Sequence, residues 1–220
     1  MKEKIRYCTK CGAKIKSSHE ENEKKNTSKK IKYPDEIIGH KVIMREFTEK
    51  NLYDPIYLKW LKDPLVVDRM GRAELLKPFD FSILEDYFHE IKSSGNKMFF
   101  SINTKEDDQF IGTFKLTINW NERIAEIGTL IGEKEFWGKG LFQDSAYTIS
   151  KYAFDKLNMR KVTGGCFARN LPAIHAMEKI GFQREALFRK SVLNQDSIIF
   201  GVFKEELRWE REHKEKNVKK

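Results

Sequence analysis

The chain has 220 residues, 40% of them hydrophobic and 34% charged, with a formal net charge of +9; that suffices for one full hydrophobic core and a short appendage, so one main domain is expected. The charge sits at the ends: residues 1–36 hold 11 Lys or Arg against 6 Asp or Glu, residues 207–220 hold 6 against 3, and the body between is nearly neutral, which argues for charged tails rather than a nucleic-acid-binding face. No apolar run approaches the roughly 18 residues of a membrane span, "MKEKIRYCTK" lacks the apolar segment of a secretory signal, and three cysteines are too few for a disulfide framework, so a cytoplasmic protein without membrane attachment is expected.

Near the N-terminus, "YCTKCGAKI" places Cys8 and Cys11 around a two-residue turn with Gly12 behind it, the form of one knuckle of a zinc ribbon. Two thiolates so spaced reach one tetrahedral zinc, but a structural site takes four ligands. His19 and His40 are the nearest further candidates, and the polar stretch "EENEKKNTSKKIKYPDE" separates them as a linker. A zinc knuckle completed by another chain and a tail without metal both remain open. A redox CxxC fits less well, because no strand-to-helix pattern surrounds it. Residues 1–36 are read as this tail and linker, and 209–220 as a charged C-terminal tail.

In chain order, "HKVIMREFT" alternates as a strand, and "NLYDPIYLKWLKD" has helical spacing through Leu52, Ile56, Trp60 and Leu61. A second helix, "FSILEDYFHEIKSSG", carries Ile83, Tyr87 and Ile91 on one face and stops at Gly95. Three strands follow, "KMFFSIN", "QFIGTFKLTIN" and "RIAEIGTLIG", joined by hairpin turns at "TKEDD" and "WNE". The next helix repeats Phe142, Ala146, Ile149, Ala153 and Leu157 every three or four residues. "KVTGGCFA" is a strand, "LPAIHAMEKI" a short helix before Gly181, and the remainder forms two strands around an "NQD" turn. The order predicts a mixed α/β sandwich without internal repeats.

Between the third strand of the central run and the long helix lies "GEKEFWGKG". Glycines before a helix let the backbone approach an anion, and the free amides of the first turn can point at its oxygens. The spacing is neither GxxxxGK[ST] nor GxGxxG, so on its own it is equally a tight helix entry.

With its neighbours the pattern resembles the GCN5-related N-acetyltransferase (GNAT) superfamily, in particular its RimJ/RimL-like branch. The matching pieces are "AEIGTLIGEKEFWGKG", "YAFDKLNMRKV" and "ARNLPAIHAMEKIGF", in that order. The resemblance assigns residues 37–208 to the domain and implies an α/β (α+β) GNAT fold. Its central sheet is mixed, mostly antiparallel and splayed, with about seven strands flanked by about four helices. Acetyl-CoA is implied as cosubstrate, entering between the strands at 124–132 and 161–167. The loop from Glu135 to Gly140 would seat the pyrophosphate, with amides of Trp137, Gly138, Lys139, Gly140 and Leu141 as donors. The backbone from Thr129 through Leu130 to Ile131 would pair with pantetheine, and Asn170 stands where the family contacts the cofactor's far arm. Glu135 departs from the Gln or Arg common at its position and cannot donate to phosphate; Lys139 would compensate for the missing charge, or lie solvated at the surface.

Transfer from a thioester to an amine needs a base and a donor at the carbonyl oxygen. Glu126 is the candidate base: it lies between Ala125 and Ile127 and shares a strand face with Gly128 and Leu130, where partial burial would raise its pKa. A substrate-ammonium anchor and a structural ion pair are its alternatives. Many family members carry a tyrosine acid at the position of Met177, which cannot return a proton; His175, Ser145, Tyr147 and Cys166 are weaker candidates that packing explains as well. The stretch "DPLVVDRMGRAELLKPFDF", with Arg69 and Arg72 beside Met70, Phe79 and Phe81, and the final hairpin would frame the acceptor. The expected partner is a small-molecule amine, favoured as a nucleotide-linked amino sugar, or a peptide N-terminus, with a homodimer left open. A non-catalytic acyl-CoA-sensing module is the rival class.

Overall fold

The computed structural model describes residues 6–7, 14–15, 31–70 and 80–209. Two short strands, β1 (Arg6–Tyr7) and β2 (Lys14–Ile15), pair antiparallel as a unit of their own. The remaining strands are β3 (Ile37–Ile38), β4 (Val42–Glu46), β5 (Lys97–Thr104), β6 (Phe110–Asn119), β7 (Ile124–Ile131), β8 (Lys161–Phe167), β9 (Gln183–Val192) and β10 (Gln195–Phe203). They form one eight-stranded sheet in the order β3-β4-β5-β6-β7-β8-β10-β9. Every neighbouring pair is antiparallel except β7 and β8. The architecture is the mixed, mostly antiparallel α/β sandwich that the element order predicts.

Helices cover both faces. On one side lie α1 (Glu49–Leu52), α2 (Pro55–Lys62), α3 (Pro64–Met70) and α4 (Ser82–Ser93), and on the other α5 (Leu141–Asp155), with α6 (Leu171–Lys179) beside it. The single helix predicted over 51–63 is cut at Pro55, and a further helix begins at Pro64. Pro55 and Pro64 cannot donate a helical hydrogen bond and so start new helices. Asp54 caps α2, accepting from the Ile56 N–H at 2.9 Å, and Asp63 accepts from the Leu65 N–H at 2.9 Å ahead of α3. Part of the stretch read as an acceptor loop is therefore the helix α3, whose Val66 and Val67 are buried.

Each side has its own core. Leu141, Ala146, Ile149 and Ala153 of α5 pack with Val42, Phe100, Phe114, Ala125 and Ile127 of the sheet. Trp60, Leu61, Val66, Leu84, Phe88 and Ile91 pack with Phe47, Phe99 and Leu130 on the opposite face. Burial of α4 corrects the expected face: Leu84, Phe88 and Ile91 point inward, while Ile83 is 50% exposed and Tyr87 only half-buried. Both sets have helical spacing; Phe88 buries a wholly apolar ring, whereas burying Tyr87 would require a partner for its hydroxyl. The sheet has one strand more than expected because Ile37–Ile38 folds back on Ile43 and Met44. The last turn also moves. Leu193 and Asn194, with φ of 49° and 57°, make the tight corner, and Gln195 and Asp196 already belong to β10. No helix of the described residues is long and apolar enough to cross a membrane.

Candidate functional site

Strands β7 and β8 part company halfway. Their parallel pairing runs from Ile124 with Lys161 to Ile127 with Gly164. Beyond it β7 stays paired with β6 to Ile131, and β8 with β10 to Phe167. The wedge is steric: a Cβ on Gly164 would lie 2.8 Å from Ile127 Cγ1 and 3.2 Å from Met177 Cε. Ile127 and the buried Met177 thus fill the vertex, and Met177 is a packing residue.

The gap leaves peptide groups without a strand partner. Successive residues of a strand direct their N–H and C=O to opposite edges, and the Gly132 N–H meets the Ile111 carbonyl at 2.9 Å on the β6 side. Thr129 and Ile131 therefore face the gap, whereas the peptide groups of Leu130 face β6 and its side chain joins the second core. One of the exposed acceptors is already used: the Trp137 indole N–H donates to the Ile131 carbonyl at 2.8 Å. The Thr129 hydroxyl is buried with no hydrogen-bond partner.

At the open end a 3₁₀ turn (Lys134–Phe136) leads to Gly138 and Gly140, whose φ values are +75° and +79°. L-residues adopt that region only with strain, and a Cβ on Gly138 would meet nothing within 4 Å. The loop is an open cradle at the head of α5. Backbone bonds inside the turn occupy two of the expected donors, Trp137 N–H to the Lys134 carbonyl at 3.1 Å and Lys139 N–H to the Phe136 carbonyl at 3.4 Å. The amides of Gly138, Gly140 and Leu141 have no backbone partner among the described residues. Phe142 and Gln143, on the first turn of α5, also line the gap; sequence reasoning missed them, although a helix start implies three free amides, not one.

Together these groups surround a cleft of about 400 Å³. Of the residues singled out in the sequence, Thr129, Leu130, Ile131, Trp137, Gly138, Gly140, Leu141 and Asn170 line it. Glu135 is exposed on the 3₁₀ turn, and Lys139 lies on the outer side with its ammonium 5.1 Å from the Phe136 ring centroid; neither lines the cleft. Asn170 caps α6, its side-chain oxygen accepting from the Ala173 N–H at 3.4 Å. Glu126 is exposed, outside the cleft lining, between Thr117 of β6 and Thr163 of β8. The partial burial expected for it is not found, because Ala125 and Ile127 point to the opposite face.

Two further features frame the mouth. The Arg69 guanidinium stacks 3.7 Å from the Trp137 ring centroid, and Arg169 forms a bidentate ion pair with Asp68 at 2.6 and 2.9 Å, tying α3 to the start of α6. Cys166 also lines the cleft, and burial pushes its thiol up to about 11, so it is protonated and unreactive near neutral pH. Ser145 and Tyr147 are buried in α5, with the Ser145 hydroxyl bonded to the Phe142 carbonyl at 2.9 Å; His175 is exposed and lines the cleft. Cys8 and Cys11 lie outside the described residues.

Comparisons with known proteins agree with this geometry. The model of the acetyltransferase (GNAT) domain matches residues 41–183. The N-acetyltransferase p20 of Bacillus licheniformis is 31% identical over 140 residues, covering 61% of this chain and 75% of p20. The N-acetyltransferase YjcK of Bacillus subtilis is 35% identical over 95 residues, covering 42% of this chain and 52% of YjcK. Among solved structures, the spermidine N-acetyltransferase of Vibrio cholerae, in complex with CoA and spermine, superposes with a TM-score of 0.66 at 20% identity, covering 75% of this chain and 96% of that one. A GNAT-family acetyltransferase of Bacillus anthracis superposes with a TM-score of 0.65 at 19% identity, covering 78% and 99%; at these identities the likeness speaks for the fold. With the splayed strand pair, the open glycine loop and a family match across most of the sheet, the chain belongs to the GNAT family and is an acetyl-CoA-dependent acetyltransferase.

Proposed function

We propose that the acceptor is a primary amine, acetylated by direct attack in a ternary complex, with Glu126 as the base. The observation that carries this reading is the position of Glu126: a solvent-exposed carboxylate on β7, opposite the face that holds Met177, level with the last rungs before the strands part. The cleft fits acetyl-CoA on three counts. It offers peptide groups without a strand partner at Thr129 and the Ile131 N–H, an unpartnered Thr129 hydroxyl, and the space above Gly138.

Acetyl-CoA, when bound, supplies the thioester carbonyl on which the N–C bond forms as the C–S bond breaks. The amides of Gly138, Gly140 and Leu141 would hold the diphosphate, and the free groups of Thr129 and Ile131 the pantetheine arm. Glu126 takes the proton that the amine loses and passes it to the solvent that bathes it. Met177 at the vertex offers no proton, so water serves at that end.

For the acceptor we favour a small amine bearing an anionic part, such as a nucleotide-linked amino sugar, because Arg69 stands on the cleft wall. Glu85, one of the acidic residues nearby, is bonded to Tyr53 at 2.6 Å. The RimJ/RimL-type alternative is a protein N-terminal amine, and a polyamine is the acceptor class suggested by the Vibrio cholerae relative. Calorimetric binding of acetyl-CoA, followed by thiol release against amino-sugar nucleotides, polyamines, aminoglycosides and short peptides, tests these readings. Release with one class names the acceptor, and binding without release across the panel places the acceptor outside these four classes.

For the tail we propose zinc at Cys8 and Cys11. Its support is the pairing of Tyr7 with Lys14, which brings together the two ends of the stretch that contains both cysteines. Metal analysis of the purified chain, with Cys8→Ser and Cys11→Ser as controls, tests it.

A further inference from the structure

We infer that Lys41 orients the glycine loop and supplies its positive charge, acting from outside the cleft; the inference rests on reading that loop as a diphosphate seat. Lys41 stands at the turn between β3 and β4, far from the loop in sequence. Its ammonium donates to the Lys139 carbonyl at 2.8 Å and lies 3.8 Å from where a Cβ on Gly140 would be. The carbonyl it captures belongs to the peptide plane that joins Lys139 to Gly140. In a trans peptide the C=O and the following N–H point in opposite directions. Holding the Lys139 oxygen outward therefore aims the Gly140 N–H to the other side, where Gly140 lines the cleft.

Lys41 is itself held by α5. The Asp144 carboxylate, wholly buried, accepts from the backbone N–H groups of His40 at 3.0 Å, Lys41 at 2.6 Å and Val42 at 3.0 Å. Asp144 lies in the first turn of the helix whose amides border the cradle, and its own N–H bonds the Gly140 carbonyl at 3.0 Å. The helix thus anchors the residue that sets the loop ahead of it. A buried carboxylate one turn into α5 also opposes an anion at the helix head, and the Lys41 ammonium offsets that charge. Lys139 was the expected source of this charge, but its ammonium sits over the Phe136 ring. Lys105, on the turn between β5 and β6, donates to the Gly39 carbonyl at 3.2 Å, not to the loop.

The test is titration calorimetry of CoA into the wild type, Lys41→Met and Lys41→Arg, at low and moderate salt. Asp144 grips backbone groups, so both variants keep the latch, which their thermal midpoints check. Lys41→Met is expected to weaken CoA about 5- to 10-fold and to flatten the salt dependence, while Lys41→Arg stays within about twofold. A Lys41→Met affinity equal to that of the wild type overturns the inference, and so does an equal loss in both variants, since packing rather than charge would then be at work. A wild type that does not bind CoA overturns the diphosphate seat itself, and Lys41 with it.

Discussion

Trp60 occupies the space that a side chain on Gly132 would need. A Cβ there would lie 2.0 Å from the indole Cδ2, and the same indole donates to Glu133 Oε1 at 2.7 Å. The end of β7, where the strand turns toward the glycine loop, is thereby seated on α2. Lys134 reinforces the seat through Asp63 at 2.5 Å.

Gly132→Ala should therefore destabilise the fold by about 1–3 kcal/mol, the usual cost of overpacking a filled core. Urea unfolding measures it. In a Trp60→Phe background the penalty should shrink, because the smaller ring leaves room, and the double-mutant cycle reads the coupling. Equal stability of Gly132→Ala and the wild type would contradict the contact.

Gly138→Asp makes the opposite kind of change. Nothing lies within 4 Å of the new Cβ, so the fold should survive with about 1 kcal/mol of backbone strain. Acetyl-CoA affinity should fall by at least about tenfold, because a carboxylate then stands at the anion's seat. Calorimetry with normal affinity in this variant would remove the loop from the binding site.

Glu126→Gln should lower kcat by about 10²- to 10⁴-fold while the acetyl-CoA KM changes little. The side chain is exposed, so unfolding stability should hold. An unchanged rate across pH would assign Glu126 to the surface and leave proton removal to water.

Acid stability has a local source at the end of α5. Hydrogen bonds from Lys151 and then Lys204 hold the Asp155 carboxyl down to about 2. A depressed carboxylate pKa contributes stability that is present above the unfolded value, near 4, and is lost as pH falls toward 2. Lys204→Met should cost about 0.2–1 kcal/mol at neutral pH, within the range for exposed pairs, and clearly less at pH 2, where the Asp155 carboxyl is being protonated. Thermal melts at the two pH values read the difference.

How much of this was legible in the sequence depended on how local the cause is. The strands and α5 announce themselves through period and turn residues, and "GEKEFWGKG" marked the loop. The face of α4 did not, since Ile83 with Tyr87 and Leu84 with Phe88 have the same spacing and only the partner surface around Phe47 chooses between them. The cut at Pro55 was written in the sequence but outweighed by helical periodicity, and the helix that Pro64 starts was read as loop. Partner identity within the site was beyond reach. Nothing local says that Trp137 closes the Ile131 carbonyl, that Lys139 turns to Phe136, or that Lys41 meets the loop, because those contacts depend on how separate elements come together.

The short parallel seam between β7 and β8 has a consequence for how the protein holds together. Five strands on one side and three on the other share only the rungs from Ile124 to Ile127, so past that point the sheet is two wings on a hinge line, bridged by helices. An extended ligand lying in the gap would act as a ninth, borrowed strand that stitches the wings along their unpaired edge. Amide hydrogen exchange at Thr129 and Ile131 should then slow sharply on CoA binding, while the already paired Leu130 changes little.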